Sequence, residues 1–122
     1  MAFDTEHSFT DTSIPGDLRD ALRRFLEGAR ELVAFQEALL FGSRARGDAR
    51  PDSDVDVALI AYGLRDDVYD LSMRLADWSA DVLLETGYVI TPILIPGEDW
   101  DFPDRYTNPV FLRNVQRDGV RL

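Results

Sequence analysis

The chain has 122 residues, with 23 acidic side chains against 13 basic ones and a formal net charge of −10. This length is typical of one domain with a modest hydrophobic core. Because nucleic acid is a polyanion, so acidic a chain is not expected to bind DNA or RNA directly. The absence of cysteine excludes disulfides, thiolate zinc sites and cysteine nucleophiles.

The first twelve residues are mostly polar and include the only histidine, His7. We expect a flexible N-terminal tail at 1–12 and a single domain at 13–122. The chain does not begin with a basic region followed by an apolar run, and no apolar stretch approaches the length of a membrane span. These features predict a cytoplasmic protein with no membrane partner.

Hydrophobic periodicity and turn residues predict the order of the elements. They are a helix from Ser13–Pro15 to Leu32, a strand at 35–41, a helical turn at 43–47, a strand at 54–61, a helix at 65–86, a strand at 88–95, a turn at 96–97, a helical turn within 98–104 and a helix at 108–118. Ser13 is a candidate cap, and Pro15 suits the first turn of a helix. Pro92 indicates that the third strand is a sheet edge or contains a bulge. The order predicts an α/β fold with helices packed on a sheet.

The most informative stretch is 41–61, where a glycine–serine turn and an Asp-x-Asp pair each adjoin an apolar run. Since side chains alternate along a strand, Asp54 and Asp56 are expected on one face. Two carboxylates at one edge suit a hard cation such as Mg2+. Backbone N–H groups and a hydroxyl at Gly42 and Ser43 suit a phosphate. Together they predict a site for a nucleoside triphosphate and a metal, as in phosphoryl or nucleotidyl transfer.

Three arginines, Arg44, Arg46 and Arg50, follow the glycine–serine turn closely. One interpretation is that one or two of their guanidinium groups face phosphates, for which the fork of N–H donors is well shaped. The other is that they pair with the aspartates at 48, 52, 54 and 56. Arg46 is the best candidate of the three for a phosphate contact.

The pattern Gly42-Ser43, ten residues, then Asp54-x-Asp56 resembles the signature of the DNA polymerase beta-like nucleotidyltransferase superfamily. Within it, GSRARG at 42–47 followed by SDVDV at 53–57 looks most like the minimal nucleotidyltransferases. The resemblance implies the palm-like nucleotidyltransferase fold, with a small mixed sheet and helices packed on it. It also implies the site residues: Asp54 and Asp56 as catalytic ligands of Mg2+, and Gly42, Ser43, Arg46 and Ser53 as nucleotide-binding residues.

Minimal nucleotidyltransferases are in many cases the antitoxins of helical HEPN-domain toxins. The resemblance therefore implies Mg2+-dependent transfer of AMP from ATP to a hydroxyl, such as that of a tyrosine, on a basic HEPN-type partner. Transfer to a small molecule such as an aminoglycoside is another possibility, but it usually needs a second domain for which 122 residues leave no room.

Active members of the superfamily generally carry a third carboxylate on the strand after the long helix. The matching position here is Thr91, and no Asp or Glu lies between Gly87 and Gly97. A threonine supplies no negative charge and is a poor general base at neutral pH. A catalytically degenerate antitoxin, which acts by binding its partner, is therefore the alternative to an active transferase.

Overall fold

The computed structural model describes residues 14–122. Its elements are α1 (Gly16–Leu32), β1 (Glu37–Phe41), α2 (Ser43–Arg46), β2 (Val55–Ala61), α3 (Val68–Thr86), β3 (Ile90–Pro96), α4 (Gly97–Asp101), a 3-10 turn (Pro103–Arg105), α5 (Pro109–Asp118) and β4 (Val120–Arg121). The predicted tail at 1–12 and the candidate cap Ser13 lie outside the described residues. Among the described helices, none has the length and apolar character needed to cross a membrane.

The four strands form one sheet in the order β3-β2-β1-β4. β1 pairs antiparallel with β2 and with β4, whereas β2 pairs parallel with β3. This mixed sheet with its helices confirms the predicted α/β fold. Pro92 lies in β3, at one edge of the sheet as predicted, where a missing N–H group costs no ladder hydrogen bond on the solvent side.

One face of the sheet is covered by α1 and α3. Both helices carry apolar residues at helical spacing, and their buried side chains pack against alternate residues of β2. The buried members include Leu18, Leu22 and Phe25 of α1, Leu71, Leu75 and Val82 of α3, and Val55, Val57 and Leu59 of β2. Trp78 of α3 donates its indole N–H to the carbonyl oxygen of Phe25 at 2.8 Å, which ties the two helices together.

The other face of the sheet is covered by the shorter helices α4 and α5. Its buried residues include Leu39 and Phe41 of β1, Ala58 and Ile60 of β2, Ile95 of β3, Trp100 of α4, and Leu112 and Val115 of α5. Because alternate residues of β2 serve opposite faces, Asp56 lies on the same side as Ala58 and Ile60. The α5 side therefore contains both a hydrophobic cluster and the acidic motif.

Two local predictions were wrong, and one strand was missed. Pro15 is the residue before α1 rather than part of its first turn, because its ψ of 148° is extended and its carbonyl accepts the first helical bond from Arg19. Gly97, predicted in a turn, begins α4. The strand β4 was not predicted; it forms through long-range pairing of Val120 with Leu40 and a bond from the Leu122 N–H to the Ala38 carbonyl.

Candidate active site

The glycine–serine turn lies directly against one of the two motif aspartates. β1 ends at Phe41, which is paired with Asp56 in the antiparallel register, so the end of β1 and the start of β2 are adjacent. Gly42 has a φ of +74°, which favours glycine, and a Cβ added to it would collide with Oδ2 of Asp56. Glycine at this position therefore allows the carboxylate to approach the backbone of the turn.

The charge of Asp56 is disfavoured in the folded protein. Burial raises the pKa of its carboxyl group, the neighbouring charge of Asp54 raises it further, and Arg46 opposes both effects. Asp54, which is exposed and precedes β2, is therefore close enough to repel Asp56. A cation between the two carboxylates would relieve this repulsion.

The two aspartates provide a donor set that fits Mg2+. This ion takes oxygen ligands and is usually held by one or two carboxylates together with water and substrate phosphates. Within residues 14–122, no group of three or more His, Cys, Asp or Glu side chains is placed to hold a metal. Asp54 and Asp56 would thus hold the ion with oxygens from water and from a nucleotide.

A cavity of about 410 Å3 opens beside the glycine–serine turn. It is lined by Phe41, Gly42, Ser43, Arg46 and Asp56 and by Phe111, Asn114, Val115 and Asp118 of α5. This volume falls in the range of small-molecule sites. The structure therefore brings four of the six predicted site residues to one cavity, while Ser53 and Asp54 are not among those that line it.

Helix α5 contributes polar residues that the sequence did not single out. Asn114 and Asp118 are four residues apart and lie on one side of the helix with Phe111. The rings of Phe111 and Phe41 meet edge to face with centroids 5.5 Å apart, which holds this side of α5 over the end of β1. The only sequence signal was a pair of polar residues bordering the apolar stripe of α5, and it did not reveal which strand that stripe would cover.

A family model described as a nucleotidyltransferase domain matches residues 22–108. The chain belongs to this nucleotidyltransferase family. It is also 34% identical over 84 residues to a Methanocaldococcus jannaschii protein provisionally named a protein adenylyltransferase, covering 69% of this chain and 74% of that protein. Both findings confirm the predicted family.

Two solved structures are similar to this chain. One is described as a toxin–antitoxin with AMP-PNP; it shares 19% identity at a TM-score of 0.55, with 88% of this chain and 72% of that chain covered. The other is a provisionally assigned nucleotidyltransferase from Sulfolobus solfataricus, with 20% identity, a TM-score of 0.49 and coverage of 91% and 89%. At these identities the first likeness supports the fold alone.

The three arginines of the motif differ in their contacts. Arg44 has neither predicted role: it donates to the carbonyl oxygens of Pro51 and Ser53, at 3.1 and 3.0 Å, and so fixes the loop between α2 and β2. Arg46 pairs with Asp48 at 3.4 Å, as one interpretation predicted, lines the cavity and acts on the charge of Asp56. A contact between Arg46 and a phosphate stays a prediction. Among residues 14–122, Arg50 has no ion-pair partner.

Ser53 takes part in the loop before β2. Its hydroxyl accepts a hydrogen bond from the Arg50 N–H at 2.8 Å, and its own N–H donates to the Arg50 carbonyl at 3.0 Å. These contacts stabilise the loop that positions Asp54 just before β2. Nucleotide binding by Ser53 stays a prediction, as do the roles assigned to the other motif residues.

Thr91 lies where the family resemblance places a third carboxylate. In the parallel register of β2 and β3 it is the partner of Asp56, and its side chain is exposed. In this chain, the position beside Asp56 therefore carries a neutral hydroxyl group.

Proposed function

We propose that this chain is a Mg2+-dependent nucleotidyltransferase that binds ATP beside the glycine–serine turn and transfers AMP to a hydroxyl of a protein partner. The hydroxyl oxygen would form a bond to the α-phosphorus, lose its proton to solvent, and displace pyrophosphate as the leaving group. The observation that carries this proposal is the contact between Asp56 and Gly42 at the mouth of a nucleotide-sized cavity. The partner we propose is a basic, helical HEPN-type toxin, for which this chain is the antitoxin. The name of the Methanocaldococcus relative supports a protein acceptor, and the toxin–antitoxin neighbour supports the pairing.

Each part of the cavity has a distinct role in this proposal. Asp54 and Asp56 would hold Mg2+, which when bound neutralises charge on the triphosphate and polarises the reacting phosphorus–oxygen bond. Ser43 offers its N–H and hydroxyl to phosphate oxygens, and Arg46 offers a guanidinium at the same wall. Phe111, Asn114, Val115 and Asp118 of α5 complete the lining of the cavity.

The negative charges of the two carboxylates and of the triphosphate should make binding of the ion and of the nucleotide interdependent. Without a cation, burial and Asp54 disfavour the charged form of Asp56. With a cation, the carboxylate is stabilised in its charged form and the phosphates gain a counter-charge. We therefore expect Mg2+ and ATP together to raise the melting temperature more than either does alone.

The transfer is tested by incubating the chain with a HEPN-type partner, Mg2+ and ATP labelled on its α-phosphate. Label on the partner is expected with the wild type and not with Asp56→Asn, because the variant lacks one metal ligand. Partner that stays unlabelled with a wild-type chain shown to bind Mg2+ and ATP would contradict transfer.

Thr91 favours a second candidate, a degenerate antitoxin that neutralises its partner by contact alone. The two candidates are separated by Thr91→Asp, which places a carboxylate opposite Asp56 on an exposed position. If the wild type is degenerate, Thr91→Asp raises labelling of the partner, and Asp56→Asn neutralises the toxin as well as the wild type does. Loss of neutralisation by Asp56→Asn with the complex still formed would exclude contact alone.

A further inference from the structure

The solvent-exposed side of α3 carries a continuous row of apolar residues. We call this row the α3 stripe; it consists of Tyr69, Met73, Ala76, Ala80, Leu83 and Leu84, all of which are exposed. The large members are well exposed, at 68% for Tyr69, 48% for Met73 and 86% for Leu84. The side of α3 that packs on the sheet is a different one, so the α3 stripe has no role in the hydrophobic core.

The spacing of the α3 stripe is that of a helix-pairing seam. From Tyr69 to Leu83 its members alternate at steps of four and three residues, which is the pattern of the a and d positions in a heptad. The stripe from Tyr69 to Leu84 is about 22 Å long at the rise of an α-helix. Exposed apolar rows of this kind mark sites of protein interaction.

One flank of the α3 stripe is acidic. Asp70, Asp77 and Asp81 lie on one side of the stripe, and Arg74 lies among them, so this flank carries three acidic side chains and one basic one. All three aspartates are exposed, and none forms an ion pair with another residue between 14 and 122. A partner helix would therefore bind the stripe more tightly if it carried Lys or Arg residues on the side that faces these aspartates.

A groove between α1 and α3 extends this acidic flank. Asp77 and Asp81 also line a cavity of about 440 Å3, together with Glu31 of α1. Two arginines line the groove as well: Arg74, and Arg24, whose guanidinium lies 4.6 Å from the centroid of the Trp78 ring and pairs with Glu85 at 2.9 Å. With Arg24 paired, three carboxylates face the single charge of Arg74, so the groove is acidic and can receive the end of a long basic side chain from a helix on the α3 stripe.

We propose that the α3 stripe and its acidic flank form a docking surface for a basic amphipathic helix of a partner protein. Two copies of this chain paired antiparallel through the stripe would set two flanks of three aspartates and one arginine against each other, and the net negative charge of both flanks is repulsive. Amphipathic helices that bind membranes carry Lys and Arg on the polar face, the opposite of this one. The inference shares one element with the proposed function, namely a basic helical partner. It does not depend on nucleotide transfer, since docking needs neither Mg2+ nor ATP.

The test uses two designed helical peptides of about three heptads, both with Leu at the a and d positions. One carries Lys at the flanking positions and the other carries Glu. Binding of each labelled peptide to the full chain is measured by fluorescence anisotropy without nucleotide, at low and high salt. We expect the Lys peptide to bind at least about tenfold more tightly than the Glu peptide, with a preference that weakens as salt screens the charges.

Two pairs of matched variants locate the binding. Met73→Asn/Leu84→Asn is expected to weaken the Lys peptide about tenfold, whereas Phe102→Asn/Val110→Asn, which alters equally exposed residues outside α3, is not. Asp77→Lys/Asp81→Lys is expected to invert the preference between the peptides. Asp52→Lys/Glu98→Lys, which makes the same change in net charge elsewhere, is expected to retain it.

Several outcomes would overturn the docking surface. They are no binding of the Lys peptide, equal binding of both peptides, or an equal loss in the variants outside α3. A wild-type dimer in sedimentation that Met73→Asn/Leu84→Asn dissociates would assign the stripe to a second copy instead. Asp56→Asn is expected to bind the Lys peptide as the wild type does, so a failure of nucleotide transfer and a failure of docking give different results.

Discussion

The two faces of the sheet differ in how completely they are packed. On the α1–α3 face, Val55, Val57 and Leu59 of β2 are fully buried under two long helices. On the α4–α5 face, Ala58 and Ile60 of the same strand are also buried, but Asp56 is only half-buried and borders a cavity. Since successive side chains of one strand point to opposite faces, β2 supports the core with one set of residues and the site with the other. Substitutions on the two faces should therefore fail in different ways.

The largest expected effect is the loss of stability on the packed face. Phe25 is fully buried between α1 and the sheet, and Phe25→Ala should lower the free energy of unfolding by about 3–5 kcal/mol because it leaves a cavity. Phe102→Ala is the matched control, since Phe102 is 59% exposed and its removal should cost less than about 0.5 kcal/mol. Urea unfolding of both variants measures the difference, and equal costs would show that the packed face is not the main source of stability.

The next effect should separate stability from binding at two glycines that both have a positive φ. Gly47 is left-handed, with φ +82° and ψ 12°, so Ala there should cost about 1–2 kcal/mol. Gly42, with φ +74° and ψ −155°, lies in a region that is almost restricted to glycine, so Ala there should cost about 1–3 kcal/mol from the backbone alone. Only at Gly42 would the new Cβ also collide with Asp56, whereas nothing lies within 4 Å of one at Gly47. Gly42→Ala is therefore expected to abolish the melting-temperature rise caused by Mg2+ and ATP, and Gly47→Ala to preserve it. If both variants keep the melting-temperature rise, the close approach of Asp56 to the turn is not needed for nucleotide binding.

A smaller effect, a gain in stability rather than a loss, is expected from Asp56→Asn when EDTA removes metal ions. The raised pKa of Asp56 means that its contribution to stability is present below the ordinary aspartate pKa and is lost as pH rises through the raised value. At pH near 7 the neutral amide should therefore make the metal-free protein more stable, and this advantage should shrink toward a pH of about 4. Thermal unfolding of the wild type and of Asp56→Asn at both pH values measures this difference in stability. Asp52→Asn, an exposed loop control, should show no such gain.

The smallest effect concerns the attachment of α4. The Tyr62 hydroxyl donates to Asp101 at 2.7 Å, and this bond raises the pKa of Tyr62 to about 12. The stabilisation should be complete below the ordinary tyrosine pKa of about 10 and lost as pH rises through the raised value. Since Tyr62 is exposed, Tyr62→Phe should cost only about 0.5 kcal/mol at neutral pH. A tyrosinate absorbance titration that shows no tyrosine titrating near the raised value would contradict this bond.

Local patterns were sufficient to predict much of the fold and part of the site. Periodicity predicted the helices and three of the strands. Alternation predicted Asp54 and Asp56 on one face, and Asp54, which precedes β2, is close enough to Asp56 to repel its charge. The pairing of Thr91 with Asp56 followed from family likeness and is confirmed by the strand register. Asn114 and Asp118 were missed because their place depends on how α5 packs on β1. The short strand β4 was missed for a related reason, since two residues carry no periodic signal and pair only with a distant strand.

The edges of the sheet limit how copies of this protein can associate. On one side β3 contains Pro92 and ends at Pro96, and proline has no N–H group to offer a neighbouring strand. On the other side, the two residues of β4 cover only part of β1 and leave a very short rim. Growth into ribbons or fibrils by adding strands is therefore poorly supported at either rim, which helps keep a concentrated solution of the folded chain free of such polymers.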